Sequence, residues 1–539
     1  VSLTIVNRQG AIDEPVPLEA FLIDLPMTFK PTHCVFGTED GPATAPLPAD
    51  GEAWIYQSSS DHHMLGGALS GDGGGKARKS VRFGWGGIAN DETGVAVGVR
   101  WFWQMHPKSI EVRGDGHVVV GLYPERHEKP LDLYPGVART HELMFVFGKQ
   151  SPEALESAFA GLQQPLRPFA PPRWYCRDTK ALGDFCEAGG EELYGPFTEV
   201  VQRFDEAFAE ANRRCEQFRD RRVLKGVETD SYGFLGYGDG VHYVWTPNVD
   251  VPENIAWDGN YYGYPHMMCV QFMRTGDTGY FDNFEAHALH VADIHTVHYA
   301  GERENLVGGC RYCPPTDHVR IDPTDWSDYK TTRVYVSDLF NHHKVAGVID
   351  RWYLLGDHRC RDVARMVIEY CHRHTYGDND YGQPRGPGMI MVFCADAYDF
   401  LGDREKWAKR ASNVLRVHKN RDLRLSFQAG IFLEGLRRYY EFSGNEEAFG
   451  YMKKSCDRVV ETNGKQGGNT CAAMSYMYGK TGDQKYLDLA LKKLPQSGQF
   501  GNPWKEFGLS MRNAALCIGD LHRIAEERDK KEIGLGVGQ

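Results

Sequence analysis

Five short turns punctuate the second half of the sequence and limit what it can fold into: Thr275-Gly276-Asp277, Leu355-Gly356-Asp357, Leu401-Gly402-Asp403, Ser443-Gly444-Asn445 and Thr481-Gly482-Asp483. Each closes an apolar stretch of helical periodicity. Each supplies a glycine for the left-handed residue that ends a helix, then an Asp or Asn to cap the next one. The glycines lie 80, 46, 42 and 38 residues apart, so each turn is the tip of an αα-hairpin in a repeating array. One further helix over 197–220 and another over 503–529 complete six pairs. Such an array closes into a ring or runs on as an open solenoid. The segments before the first helix of each hairpin (257–266, 310–343, 381–388, 420–428, 463–469 and 498–504) are rich in Gly, aromatic residues and Arg. They have the composition of a cavity rim and converge only if the ring closes. The expectation for 194–539 is an (α/α)6 toroid.

The first part of the chain has a different texture. Residues 54–58, 79–88, 94–104, 109–112, 117–123 and 140–147 are short runs rich in Val, aromatic and alternating residues, which predicts an antiparallel β-sandwich over 51–165. Arg113-Gly114-Asp115-Gly116 falls between two of these runs and predicts a tight hairpin. The Gly-rich run 71–75 lacks the GK[ST] ending that cradles a nucleotide phosphate and reads as a surface loop. Four prolines between 165 and 172 open a linker over 166–193. The expected fold is therefore multidomain β plus α.

Of 539 residues, 41% are hydrophobic and 25% charged, so disorder and fibrous repeats are excluded. A net charge of -12 works against nucleic-acid or anionic-membrane partners. No apolar run approaches the roughly 20 residues that span a bilayer. Thirteen cysteines leave at least one thiol outside any intrachain pairing and favour a reducing compartment. The chain begins at Val1 without a leader pattern, which also allows a mature secreted form or a fragment. Cys310-Arg311-Tyr312-Cys313 has the spacing of half a zinc site, with His318 as a third candidate ligand, and reads instead as two loop thiols because no second pair accompanies it.

Several separated motifs resemble the exo-rhamnogalacturonan lyase family: Trp101-Phe102-Trp103-Gln104-Met105-His106-Pro107-Lys108, Thr140-His141-Glu142, the segment from Trp257-Asp258-Gly259-Asn260-Tyr261 to His266, and Asn341-His342-His343. Members of that family combine an N-terminal barrel, a central β-sandwich and a C-terminal α/α toroid. The resemblance covers residues 50–530 in order, and implies that 1–50 are at most the remnant of the barrel. It also implies β-elimination on an acidic substrate, a uronic-acid polysaccharide or oligosaccharide of the rhamnogalacturonan type.

A lyase removes the C5 proton of a uronate and expels the C4 oxygen. It must neutralise the C6 carboxylate and supply a base and an acid. The longest rim carries suitable groups: His342 or His343 as base, Tyr329 as acid, and Arg320, joined by Arg385 of another rim, on the carboxylate. A second rim offers Asn260, Tyr261 and His266 for binding, with Trp257 as a stacking platform. For each of these residues the competing structural reading is a helix entrance, a helix interface or a surface ion pair. His287, His290, His295 and His298 are expected on the outward face of a second helix, and no metal ligand is assigned. No cofactor is assigned either. Calcium is left open, although no loop with EF-hand spacing occurs. Two other functions remain. One is a glycoside hydrolase using two of Asp258, Asp328, Asp380 and Glu434; the other is a non-catalytic carbohydrate-binding protein. The oligomeric state is not legible.

Overall fold

The computed structural model describes the chain outside residues 13, 70–81, 181–182, 220–221, 225–226, 230–231, 240, 244–254, 258–259, 261–262, 312–333, 336–343, 375–383, 420–422, 424–427, 463–469, 495–510, 512 and 533–539. The described strands between residues 1 and 147 form antiparallel sheets. One has the order β1 (Ser2–Val6), β13 (Ala138–Phe147), β9 (Gly94–Val99), β8 (Trp85–Ala89), β4 (His33–Thr38), β5 (Gly41–Pro46). The second has the order β3 (Phe21–Pro26), β11 (His117–Tyr123), β10 (Lys108–Arg113), β6 (Glu52–Ser59), β7 (His62–Gly67), and β2 (Val16–Leu18) pairs separately with β12 (Leu131–Leu133).

Residues two apart on a strand share a face. Val95, Val97 and Val99 of one sheet accordingly meet Ile110, Val112, Val118 and Val120 of the other in a common core. The far side of β9 is also covered. Helix α1 (Pro152–Gln163) lays Phe159 against Trp85 with stacked rings 5.2 Å apart, and a Cβ on Gly98 would stand 2.4 Å from the Phe159 ring. The expected hairpin forms as a three-residue loop between β10 and β11. Gly116 takes a φ of +101° and donates to the Arg113 carbonyl. The expectation for residues 1–50 is corrected: β1, β3, β4 and β5 are hydrogen-bonded members of these two sheets, not the remnant of a separate barrel.

The remaining described residues are mainly helical, with three short two-stranded ladders: Arg222–Leu224 with Val227–Thr229, Val241–Tyr243 with Ile255–Trp257, and Cys310–Arg311 with Val334–Tyr335. A short α2 (Glu191–Tyr194) and α3 (Thr198–Arg219) precede five hairpins. These are α4 (Tyr264–Thr275) with α5 (Thr278–His290), α6 (Ala346–Leu355) with α7 (His358–His374), α8 (Arg385–Leu401) with α9 (Arg404–His418), α10 (Ala429–Ser443) with α11 (Glu446–Glu461), and α12 (Cys471–Thr481) with α13 (Gln484–Lys493). Helix α14 (Ala514–Glu532) ends the described helices. All five turn glycines adopt positive φ, from +64° to +75°. Asp277, Asp357, Asp403, Asn445 and Asp483 each accept a hydrogen bond from a backbone N–H of the next helix.

Several first helices of the hairpins pack side by side, α4 on α6, α8 on α10 and α10 on α12, and α12 packs on α14. The segment ahead of α3 then touches both ends of the succession. Arg274 of α4 donates to the Cys186 carbonyl at 3.0 Å, and the imidazole of His522 in α14 hydrogen-bonds the Leu193 carbonyl at 2.7 Å. Residues of α4, α6, α8, α10 and α12 line a shared cavity of about 840 Å3.

Buried polar pairs join sheets to helices. Arg100, just after β9, makes two hydrogen bonds to Glu285 of α5, and Arg167 and Arg351 also reach that carboxylate. Asp293 accepts from both the backbone N–H and the hydroxyl of Thr140. Every described cysteine is buried, and none of these forms a disulfide with another described cysteine. No described helix is long and apolar enough to cross a membrane.

Candidate active site

The cavity is the place where polar side chains interrupt helices that otherwise present apolar stripes. On α6, Asp350 follows Gly347, Val348 and Ile349, all buried; on α8, Asp396 and Asp399 follow the buried run Met389–Ala395; on α10, Glu434 and Arg438 flank Leu436. An apolar helix tolerates such groups when they are paired or face a cavity. Here both conditions hold.

His266 lies in the first turn of α4, with its side chain 30% exposed, and its Nδ1 stands 2.7 Å from Oδ2 of Asp350, whose side chain is 3% exposed. Because a carboxylate only accepts, Nδ1 carries the proton, and Nε2 of the neutral ring is left with its lone pair. Burial alone would push the imidazole pKa down; the Asp350 charge overrides it and raises the pKa above the ordinary 6.5. Asp350 is itself raised by burial, with His266 pulling the other way and Asp396 adding to the rise. Arg438 Nη1 stands 2.7 Å from Asp396 Oδ1, and the Asp396 and Glu434 charges hold the guanidinium protonated against its burial. Burial raises the Asp399 carboxyl and the Tyr353 phenol, and acidic neighbours push the phenol further up. The result is an oriented imidazole, carboxylates in unlike environments and a half-buried guanidinium, all lining a single cavity.

Of the residues singled out by sequence, His266 lines the cavity. Asn260 is fully buried, and its amide donates to the carbonyl of Lys344 at 3.2 Å, tying the entrance of α4 to the entrance of α6, where Lys344 itself lines the cavity. Trp257 ends the short strand Ile255–Trp257, paired with Val241–Tyr243. Arg385 is the first residue of α8 and is half-buried, outside the cavity lining. Tyr261, Arg320, Tyr329, His342 and His343 lie outside the described residues, as do Cys313 and His318 and the hydrolase candidates Asp258, Asp328 and Asp380. Glu434, the other hydrolase candidate, does line the cavity.

Sequence reasoning misses Asp350, Asp396, Asp399 and Arg438. Their signal is an acid or base placed on the apolar stripe of a helix, which a count of periodicity discards as noise.

The histidines of the second helix are corrected. His287, His290 and His295 have no exposure and His298 is half-buried, because this face of α5 carries the sheet domain. Leu289 packs with Trp101 and Met105, and Ile294 with Tyr123 and Val137. Lys108 serves structure, donating to the carbonyls of Met105, Pro107 and Leu122. His141 is buried beside Phe234 at the same seam, its pKa pushed far down by burial, Lys108 and Arg139. Among the described residues, the metal-ligating side chains that approach one another closely are Asp239, His290 and His295, outside the cavity lining.

No family model matches the chain, and no curated protein matches it. Among solved structures it is similar to a polysaccharide lyase, at 11% identity over 53% of this chain and 92% of that one, with a TM-score of 0.35. It is also similar to a GH76 α-mannanase of Bacteroides thetaiotaomicron, at 11% identity over 61% and 97%, TM-score 0.36. A third similar structure is a GH76A α-1,6-mannanase from Salegentibacter sp., at 13% identity over 61% and 99%, TM-score 0.34.

Proposed function

We propose that this chain is a carbohydrate-active enzyme, a lyase that cleaves a uronic-acid polysaccharide or oligosaccharide by β-elimination, with the helical ring as an (α/α)6 toroid and the two sheets as its accompanying sandwich. The observation that carries the reading is the His266–Asp350 pair opening on the axial cavity. A base must remove the weakly acidic C5 proton, and an imidazole with one nitrogen held by a carboxylate is fixed in tautomer and orientation for that step. As Nε2 takes the proton, the imidazolium forms beside Asp350, which stabilises it. Arg320 of the long rim and Arg385 at the start of α8 are the proposed partners of the substrate carboxylate, where enolate charge develops. Tyr329 is the proposed proton donor to the leaving oxygen; His342 and His343, the bases expected from the sequence, directly precede Lys344 and are the alternatives to His266 in that role. Tyr261 and Trp257 are proposed to hold the sugar rings, with rhamnogalacturonan as the polymer to try first.

A second reading has its own support. Asp399 is raised by burial while Asp396 is paired with Arg438, the separation of two carboxyl environments that a glycoside hydrolase uses for acid and base. Digestion in 18O-labelled water separates the two. A hydrolase adds water, placing one labelled oxygen at the new reducing end and leaving both products saturated; the lyase reading expects an unsaturated product formed without added water, and labelled products that are all saturated would overturn it.

A further inference from the structure

The proposed chemistry leaves one buried cluster unused. Asp239, His290 and His295 have no exposure, and their ligand atoms all lie within 4.8 Å of one another. Nε2 of His290 stands 3.5 Å from Oδ2 of Asp239, and Nε2 of His295 stands 4.0 Å from Oδ1.

Three local features build this group. Helix α5 ends at His290 and continues as a single π turn, Val291–His295. The wider turn advances each residue by a smaller angle than an α-helix, so two residues five apart share a face, and the two imidazoles come to 5.4 Å between centroids. Inserted π turns are frequent at functional sites. Gly238, with a φ of +99°, lets the loop carrying Asp239 lie directly on α5; a Cβ there would stand 2.5 Å from the Ala286 carbonyl oxygen and 2.8 Å from the His290 Cβ. Finally, Nδ1 of His290 is 3.3 Å from the Tyr237 carbonyl, to which it donates.

That last bond fixes which nitrogen faces the carboxylate. With Nδ1 donating to a carbonyl, Nε2 is the atom turned toward Asp239. A ligating histidine characteristically has this arrangement, its other nitrogen donating to a backbone carbonyl.

We propose that Asp239, His290 and His295 form a site for one divalent first-row transition metal of the zinc class, bound through the two Nε2 atoms and the carboxylate. Two imidazoles and one carboxylate suit zinc, cobalt or iron; calcium and magnesium prefer oxygen shells. Ligand atoms on a tetrahedral zinc stand about 3.3 Å apart, so closure requires a contraction of at most about 1.5 Å. The metal would fasten a seam. Phe234 and Leu235 of the Asp239 loop pack on Tyr123 and Val137 of the sheets, while the two histidines belong to the helical region. The site is independent of the lyase reading.

The test uses the full chain purified without a metal-binding tag. Elemental analysis after dialysis is expected to find about one equivalent of metal. Chelator-stripped protein is expected to bind one equivalent of Co(II), with d–d absorption and no thiolate charge-transfer band. His290→Ala, His295→Ala and Asp239→Asn, each checked for folding by circular dichroism, are expected to lower retained metal at least about tenfold. Asp239→Asn preserves shape and guards against a folding artefact. If none of the variants folds, the cobalt spectrum of the unmodified chain decides. A thiolate band, no uptake of cobalt, or folded variants that hold as much metal as the parent would overturn the proposal.

Discussion

Oδ2 of Asp350 accepts a 2.7 Å hydrogen bond from Nδ1 of His266, joining the first turn of α4 to the middle of α6 across 84 residues of sequence. Removing the charge while keeping the shape isolates what it does. Asp350→Asn leaves the ring in place and lowers the His266 pKa, because the Asp350 charge is what holds it up. A base works deprotonated, so activity of the parent falls as pH drops through this raised value, above the ordinary 6.5. The variant is expected to show its acid limb at lower pH, with a plateau rate reduced about 10- to 100-fold. A pH profile of kcat/KM checks both.

Glu285 gathers Arg100, Arg167 and Arg351 at the seam between sheets and helices. Glu285→Ala strands buried guanidinium charge and is expected to cost about 3–5 kcal/mol in urea unfolding. Burial pushes this carboxyl up, but Arg351, Arg100 and Arg167 together hold it below the ordinary 4.5. A depressed carboxyl contributes stability that is present above its unfolded value and lost as pH falls through the folded one. The parent is therefore expected to lose stability on acidification below about pH 4.5 more steeply than the variant.

Two glycines with opposite surroundings predict opposite causes of damage. Gly444 sits at φ +64°, and a Cβ there would point into open space, so Gly444→Ala costs only the left-handed strain, about 1–2 kcal/mol. Gly388 is helical, but a Cβ there would stand 2.6 Å from the Phe432 Cα and 2.7 Å from the Ile431 carbonyl oxygen. Gly388→Ala forces α8 and α10 apart and is expected to cost about 1–3 kcal/mol despite the better helix former. Gly444→Asn, which tolerates the left-handed region, recovers part of the first loss. Thermal unfolding of the three variants checks the contrast.

What is legible in the sequence is local. A C-terminal glycine and the following Asp or Asn carry their own geometry, so Gly276 through Gly482 and their capping partners can be recognised without knowing the fold. The strand pairing of β1 with β13, Ser2 opposite Glu142, has no local signature, and residues 1–50 therefore read as a different domain. The histidines at 287, 290 and 295 read as outward-facing for a related reason: helical periodicity does not reveal that a second domain covers α5. His266 stands out by its residue type at a helix entrance. Its partner Asp350 does not, because only the packing of α4 on α6 brings the two together.

The most direct test follows the ultraviolet absorbance of the conjugated double bond that β-elimination creates, with a panel of uronic-acid polymers and oligosaccharides as substrate, beginning with rhamnogalacturonan. The unmodified chain is expected to give a steady rise on at least one substrate, and folded His266→Ala a rate lower by about two to four orders of magnitude. A rise that continues undiminished in His266→Ala would contradict the assignment of the base. New reducing ends without any rise would contradict β-elimination itself.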